Sequence, residues 1–151
     1  MTQIRPLAQP VRRRPGELGV HSLDRFNFTV PDLEAGRKFY SSFGLDVREA
    51  GNALQLHTHG HSHRWGSVAE GPRKQLRFIS FGAYEEDLPR FRERLEHLRI
   101  DRLDTPPGVE SNGLWLRDPD GTAIEIRVAE KTSPDVKSSF DNASAGTACR
   151  K

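Results

Sequence analysis

"SLDRFNFTVPDLEAGRKFYSSFG" (Ser22–Gly44) changes its periodicity once, near Pro31. Before that point polar and apolar residues alternate, with Phe, Thr and Val prominent, which predicts a strand. After it, Asp32 is suited to cap a helix and Gly44 to stop one, with Leu33, Phe39, Tyr40 and Phe43 expected on one face. Three short runs follow, "LDVREA", "ALQLHTH" and "RWGSVAE", separated by Gly, Asn and His-Gly breaks. The unit therefore reads β-α-β-β-β.

The same order recurs after about 55 residues, a period that suggests two paired units sharing a core rather than a solenoid. "KQLRFISFGAY" predicts a strand, and "EEDLPRFRERLEHLRI" a helix with Leu88, Phe91, Leu95 and Leu98 along one stripe. "IDRLDTPPG", "GLWLRDPDG" and "TAIEIRV" are read as three further strands, with Asp120-Gly121 turning the last hairpin. The expected divisions are an irregular arm over 1–19, one folded domain over 20–128 (modules of about 20–72 and 73–128), and a polar tail or linker over 129–151.

Composition narrows the function. The chain has 151 residues, 34% hydrophobic, with a net charge of +2. Its mean hydropathy of −0.69 fits one core with polar ends. The basic excess sits in "VRRRP" and the terminal "CRK", too little to imply nucleic acid. No apolar run approaches the roughly 20 residues that span a bilayer. Cys149 is the one cysteine, so neither a disulfide framework nor a thiolate zinc site is expected. The expected location is the cytoplasm. No Ser-His-Asp set, phosphate-cradling loop or C-x-x-C pair is present.

Two stretches, "LDRFNFTVPDLEAGRKFYSSFGLDV" and "GLWLRDPDGTAIEI", resemble the vicinal oxygen chelate superfamily of glyoxalases, bleomycin-resistance proteins and extradiol dioxygenases. The resemblance covers roughly Val20 to Val128. It implies an α+β fold in which two βαβββ modules form a curved mixed sheet around a cleft. The middle stretch, "LQLHTHGHSHRWGSVAEGPRKQLRFISFGAY", is most similar to the N-terminal domain of two-domain, catechol 2,3-dioxygenase-like extradiol enzymes of aromatic compound catabolism.

Metal-using members of that superfamily hold the ion with a His on the first strand, a His on the equivalent strand of the next module, and a Glu on the last strand. Mapped here, those positions are Arg25, Phe78 and Glu125. Arg and Phe offer no lone pair to a cation, so no metal and no catalytic residue are expected in this chain. Arg25 and Glu125 are instead expected to face one cleft and pair. The row His57, His59, His61, His63 is the competing metal candidate, since alternate residues of a strand share a face. Gly60 interrupts it, and a solvated hairpin tip, with His63 packed on Trp65, is the expected outcome. If a metal were held, Glu125 with His57 or His63 would be its ligands.

Three functions follow from the resemblance. The first is the non-catalytic N-terminal half of an extradiol dioxygenase, with Fe(II) or Mn(II) confined to a C-terminal companion domain. The second is a stand-alone, metal-free module binding a small aromatic ligand with Arg25, Asn27, His63, Phe78, Ser80, Trp115 and Glu125. The third is a metalloenzyme with an unusual His/Glu set. A homo-oligomer such as a dimer, or a companion domain, is the expected assembly.

Overall fold

The computed structural model describes residues 16–132. Most of the arm, most of the tail and Cys149 lie outside the described residues. Seven strands form one mixed sheet: β1 (Ser22–Val30), β2 (Asp46–Ala50), β3 (Ala53–His57), β4 (Arg64–Glu70), β5 (Gln75–Ala83), β6 (Leu114–Arg117) and β7 (Ala123–Val128). Helices α1 (Leu33–Ser42) and α2 (Leu88–His97) cross it, the second entered through a 3-10 turn at Glu85–Asp87. The sheet order is β2-β3-β4-β1-β5-β7-β6. β1 and β5 pair antiparallel at its centre, and each has a parallel neighbour on its outer side, β4 and β7. The two modules are thus related by a local twofold about the β1–β5 seam. Because Arg25 faces Ser80 and Asn27 faces Phe78 across that seam, the twofold exchanges Arg25 with Phe78 and Asn27 with Ser80.

Alternation along the strands divides the side chains between two faces. On one face Leu54, Leu56 and Val68 form a buried cluster, with Phe26, Phe28, Leu33 and Tyr40 packed against it. Ala83, Leu95, Leu114 and Ile126 make the matching cluster beneath α2, joined by Leu88 and Phe91. Gly66 lies opposite Phe26 in the β1–β4 ladder, and a Cβ there would fall 2.4 Å from the Phe26 ring. The Phe26 ring therefore occupies the space a side chain at position 66 would need. The other face carries the polar residues and forms the cleft.

Four expectations need correction. "IDRLDTPPG" forms no strand; only Leu103 bridges to Trp115, through one 2.9 Å amide bond. Pro106 and Pro107 have no N–H to give a ladder, and Gly108 turns away at φ 76°. In α1, Leu33 and Tyr40 meet the core, but Phe39 and Phe43 are 61% and 73% exposed. Six residues from Leu33 is well off the helical face, and Phe43 is already the C-cap, so the two rings stack on each other instead. Leu98 is likewise 48% exposed, because α2 ends before it. β3 stops at His57, leaving Thr58 and His59 outside the strand.

Candidate functional site

Asp24 sets the geometry of the cleft. Leu23 faces Phe81 and Arg25 faces Ser80, so Asp24 is an extra residue bulged from β1. Its carbonyl accepts from His63 Nε2 at 2.6 Å, which requires that nitrogen to carry the proton. His63 also packs edge-on to Trp65, with ring centroids 4.6 Å apart. The buried Asp24 carboxylate lies 3.9 Å from Arg25 Nε and 3.6 Å from Arg127 Nη1.

Arg25, Ser80 and Glu125 stand in one row across β1, β5 and β7. Glu125 is fully buried and takes three donors: the hydroxyls of Ser80 and Ser111, and Arg25 Nη2 at 3.4 Å. Ser111 is held in turn by the Gly113 amide, which donates to its Oγ at 2.9 Å. Gly113 is required because a Cβ would come within 2.8 Å of Glu125 Cγ. The carboxyl group is thereby solvent-free and engaged on both oxygens.

Phe78 meets the buried Trp115 edge to face, with centroids 5.0 Å apart, and walls the cleft together with Asn27 and Ser67. Asn27 Nδ2 donates to Ser67 Oγ at 2.6 Å, while its buried Oδ1 has no partner. The cleft, about 380 Å³, is closed by Gly108, Val109 and Glu110 and flanked by Arg25, Arg64 and Arg127. Burial holds the Arg64 guanidinium below the usual arginine range, and Arg25 and Arg127 press it further the same way. Of the residues expected to form this site, Arg25, Asn27 and Phe78 line the cleft. Ser80, Trp115 and Glu125 are buried. His63 is occupied with the bulge.

Ser111, Ser67, Arg64 and Arg127 were not foreseen. Arg127 was within reach of the strand pattern, two residues from Glu125 and so on its face. Ser67 needed the register that sets it beside Asn27. Ser111 stands in a loop with no period at all. His57 is buried with neither ring nitrogen hydrogen-bonded, whereas His59 and His61 are exposed.

Iron or manganese, which this fold implies, does not fit the donors present. Arg25 and Phe78 cannot ligate, and both oxygens of Glu125 already accept from hydroxyl or guanidinium donors. Among the described residues no three His, Cys, Asp or Glu side chains converge as a metal site.

A sequence profile of the glyoxalase/bleomycin resistance protein/dioxygenase superfamily matches residues 22–126. The chain belongs to that superfamily. Metapyrocatechase 2 of Cupriavidus necator is 33% identical over 119 residues, 79% of this chain and 37% of that protein. An extradiol ring-cleaving dioxygenase from B. fuscum superposes with TM-score 0.54 at 28% identity, covering 80% of this chain and 38% of the other. The 2,2',3-trihydroxybiphenyl 1,2-dioxygenase of Sphingomonas wittichii RW1 shares the fold with TM-score 0.63 at 19% identity, over 74% and 42% of the two chains. This superfamily member is thus an extradiol dioxygenase-like domain, and the matched stretch spans little more than a third of its curated relative.

Proposed function

We propose that this chain is the non-catalytic, metal-free half of an extradiol ring-cleaving dioxygenase. In this reading residues 20–128 form the domain, in modules of about 20–72 and 73–128. A companion domain C-terminal to it carries the Fe(II) or Mn(II) and the aromatic substrate. The observation that carries the proposal is the environment of Glu125. Two hydroxyls and a guanidinium satisfy the one carboxylate remaining at the superfamily's metal position. A buried carboxylate with matched donors is a structural element, because exchanging them for a cation would leave the part-buried Arg25 only its longer contact to Asp24, at 3.9 Å. The 37% coverage of metapyrocatechase 2 is consistent with a companion of similar size. Pairing Glu125 with His57 or His63 is not supported by the donors, since both Glu125 oxygens are already engaged and His63 Nε2 points its proton at the Asp24 carbonyl.

Calorimetry with Mn(II) tests this reading. The parent chain should give no specific heat of binding. Arg25→His with Phe78→His should acquire binding, because it restores two imidazoles at twofold-related positions beside Glu125. Tight binding by the parent would overturn the metal-free reading. No gain in the double variant would show that the three positions do not converge.

A further inference from the structure

Removing a metal from such a cleft leaves the question of what its walls now fit. Three guanidinium groups, those of Arg25, Arg64 and Arg127, lie at the cleft. Two buried carboxylates, Asp24 and Glu125, pair with Arg25 and Arg127. The Arg64 side chain is left over: it makes no ion pair and no hydrogen bond with another described residue, feels the Asp24 carboxylate only from beyond ion-pair distance, and is partly desolvated. Glu110, also at the cleft, is solvent-exposed and only weakly offsets that charge. A guanidinium does not shed its proton, so an unpaired, half-buried one calls for an anion. Its planar fork best matches a single carboxylate.

The remaining walls define the rest of the ligand. Phe78, braced by Trp115, gives the lining an aromatic edge, and Val109 adds an apolar side chain to it. Asn27 Oδ1, buried and without a donor, asks for one hydroxyl or N–H. The volume of about 380 Å³ suits a single-ring molecule.

We propose that the cleft binds a small aromatic carboxylate carrying a hydrogen-donating substituent, with the carboxylate on Arg64 and the donor on Asn27. This rests on the metal-free reading above, which the Mn(II) titration tests separately.

Titration calorimetry of the intact chain, in buffer stripped of metal on a chelating resin, decides it. 3-Hydroxybenzoate should bind, and 3-hydroxybenzyl alcohol, which lacks the charge, should bind at least about tenfold more weakly. Affinity for 3-hydroxybenzoate should fall as salt is raised. Arg64→Met should lose binding by roughly tenfold without a lower melting temperature, because it removes a partly desolvated charge, keeps an apolar stem and breaks no ion pair or side-chain hydrogen bond. The wild-type comparison stands even if that variant misfolds. Equal binding of the acid and the alcohol, no binding at millimolar concentration, or inorganic phosphate binding as tightly as the aromatic acid would each overturn the proposal. Binding of 3-hydroxybenzoate only when Mn(II) is added would instead remove the metal-free reading on which it rests.

Discussion

Glu125 shows how one buried side chain can be made structural. Its three donors come from three places in the chain, Arg25 on β1, Ser80 on β5 and Ser111 in the loop before β6. Such a pair adds little net stability when whole, since desolvation offsets attraction, but breaking one side is costly. Arg25→Ala should therefore lower the unfolding free energy by about 3 kcal/mol in a denaturant titration. Adding Glu125→Gln to it should recover part of the loss, because the remaining neutral amide no longer strands a charge. A loss below about 0.5 kcal/mol would mean that solvent reaches the carboxylate. Gly113→Ala tests the same network from the backbone side. Its Cβ would press on the Glu125 side chain and on the Ile126 carbonyl, so a cost of roughly 1–3 kcal/mol is expected.

Helix α1 separates what a helix needs from what its sequence merely permits. Asp32 Oδ1 accepts from the Ala35 amide at 2.9 Å, so the cap is in place, and Asp32→Ala should cost about 1 kcal/mol. Tyr40 packs on the Leu54–Leu56–Val68 cluster, whereas Phe43 stands in solvent. Replacing Phe43 with Ser should change stability by less than about 0.5 kcal/mol, while Tyr40→Ala should cost several times more. Equal losses by thermal or denaturant unfolding would show that Phe43 is covered in solution. The second module teaches a related point. Its helix keeps the expected stripe at Leu88, Phe91 and Leu95, yet the segment after it yields one bridge at Leu103 in place of a strand. A run containing Pro106 and Pro107 cannot complete a ladder, whatever its position in the repeat.

At the scale of the whole molecule, the sheet is symmetric but its two halves are not equally finished. β2 has no full counterpart in the second module, so the cleft is closed there by the loop through Gly108, Val109 and Glu110. A metal-free cleft makes a plain prediction about global stability. Dialysis against a strong chelator should leave the melting temperature unchanged, because on the proposed metal-free reading no ion's binding adds to folding. A drop of several degrees would contradict it. The isolated chain should likewise yield no ring-cleavage product from catechol after anaerobic Fe(II) loading, measured by absorbance. A rate proportional to protein and lost in Glu125→Ala would return catalysis to this domain.

Local order was legible in the residues alone. The strand at Ser22–Val30, the helix that follows, and the repeat of that unit are written in periods of two and of about 3.6 residues, which neighbouring side chains impose directly. Arg25 and Glu125 were also legible as partners, through the superfamily's pattern of positions. Other features depend on distance in space. The bulge at Asp24 sets which residues of β1 face β5, and only the assembled ladder creates it. Ser111 reaches Glu125 from a loop without periodicity, and Arg64 lies unpaired because Asp24 and Glu125 are already taken by its neighbours. Sequence spacing determines which face a side chain takes along its own strand. Register, loop path and competition for partners determine what it meets, and those are properties of the folded chain.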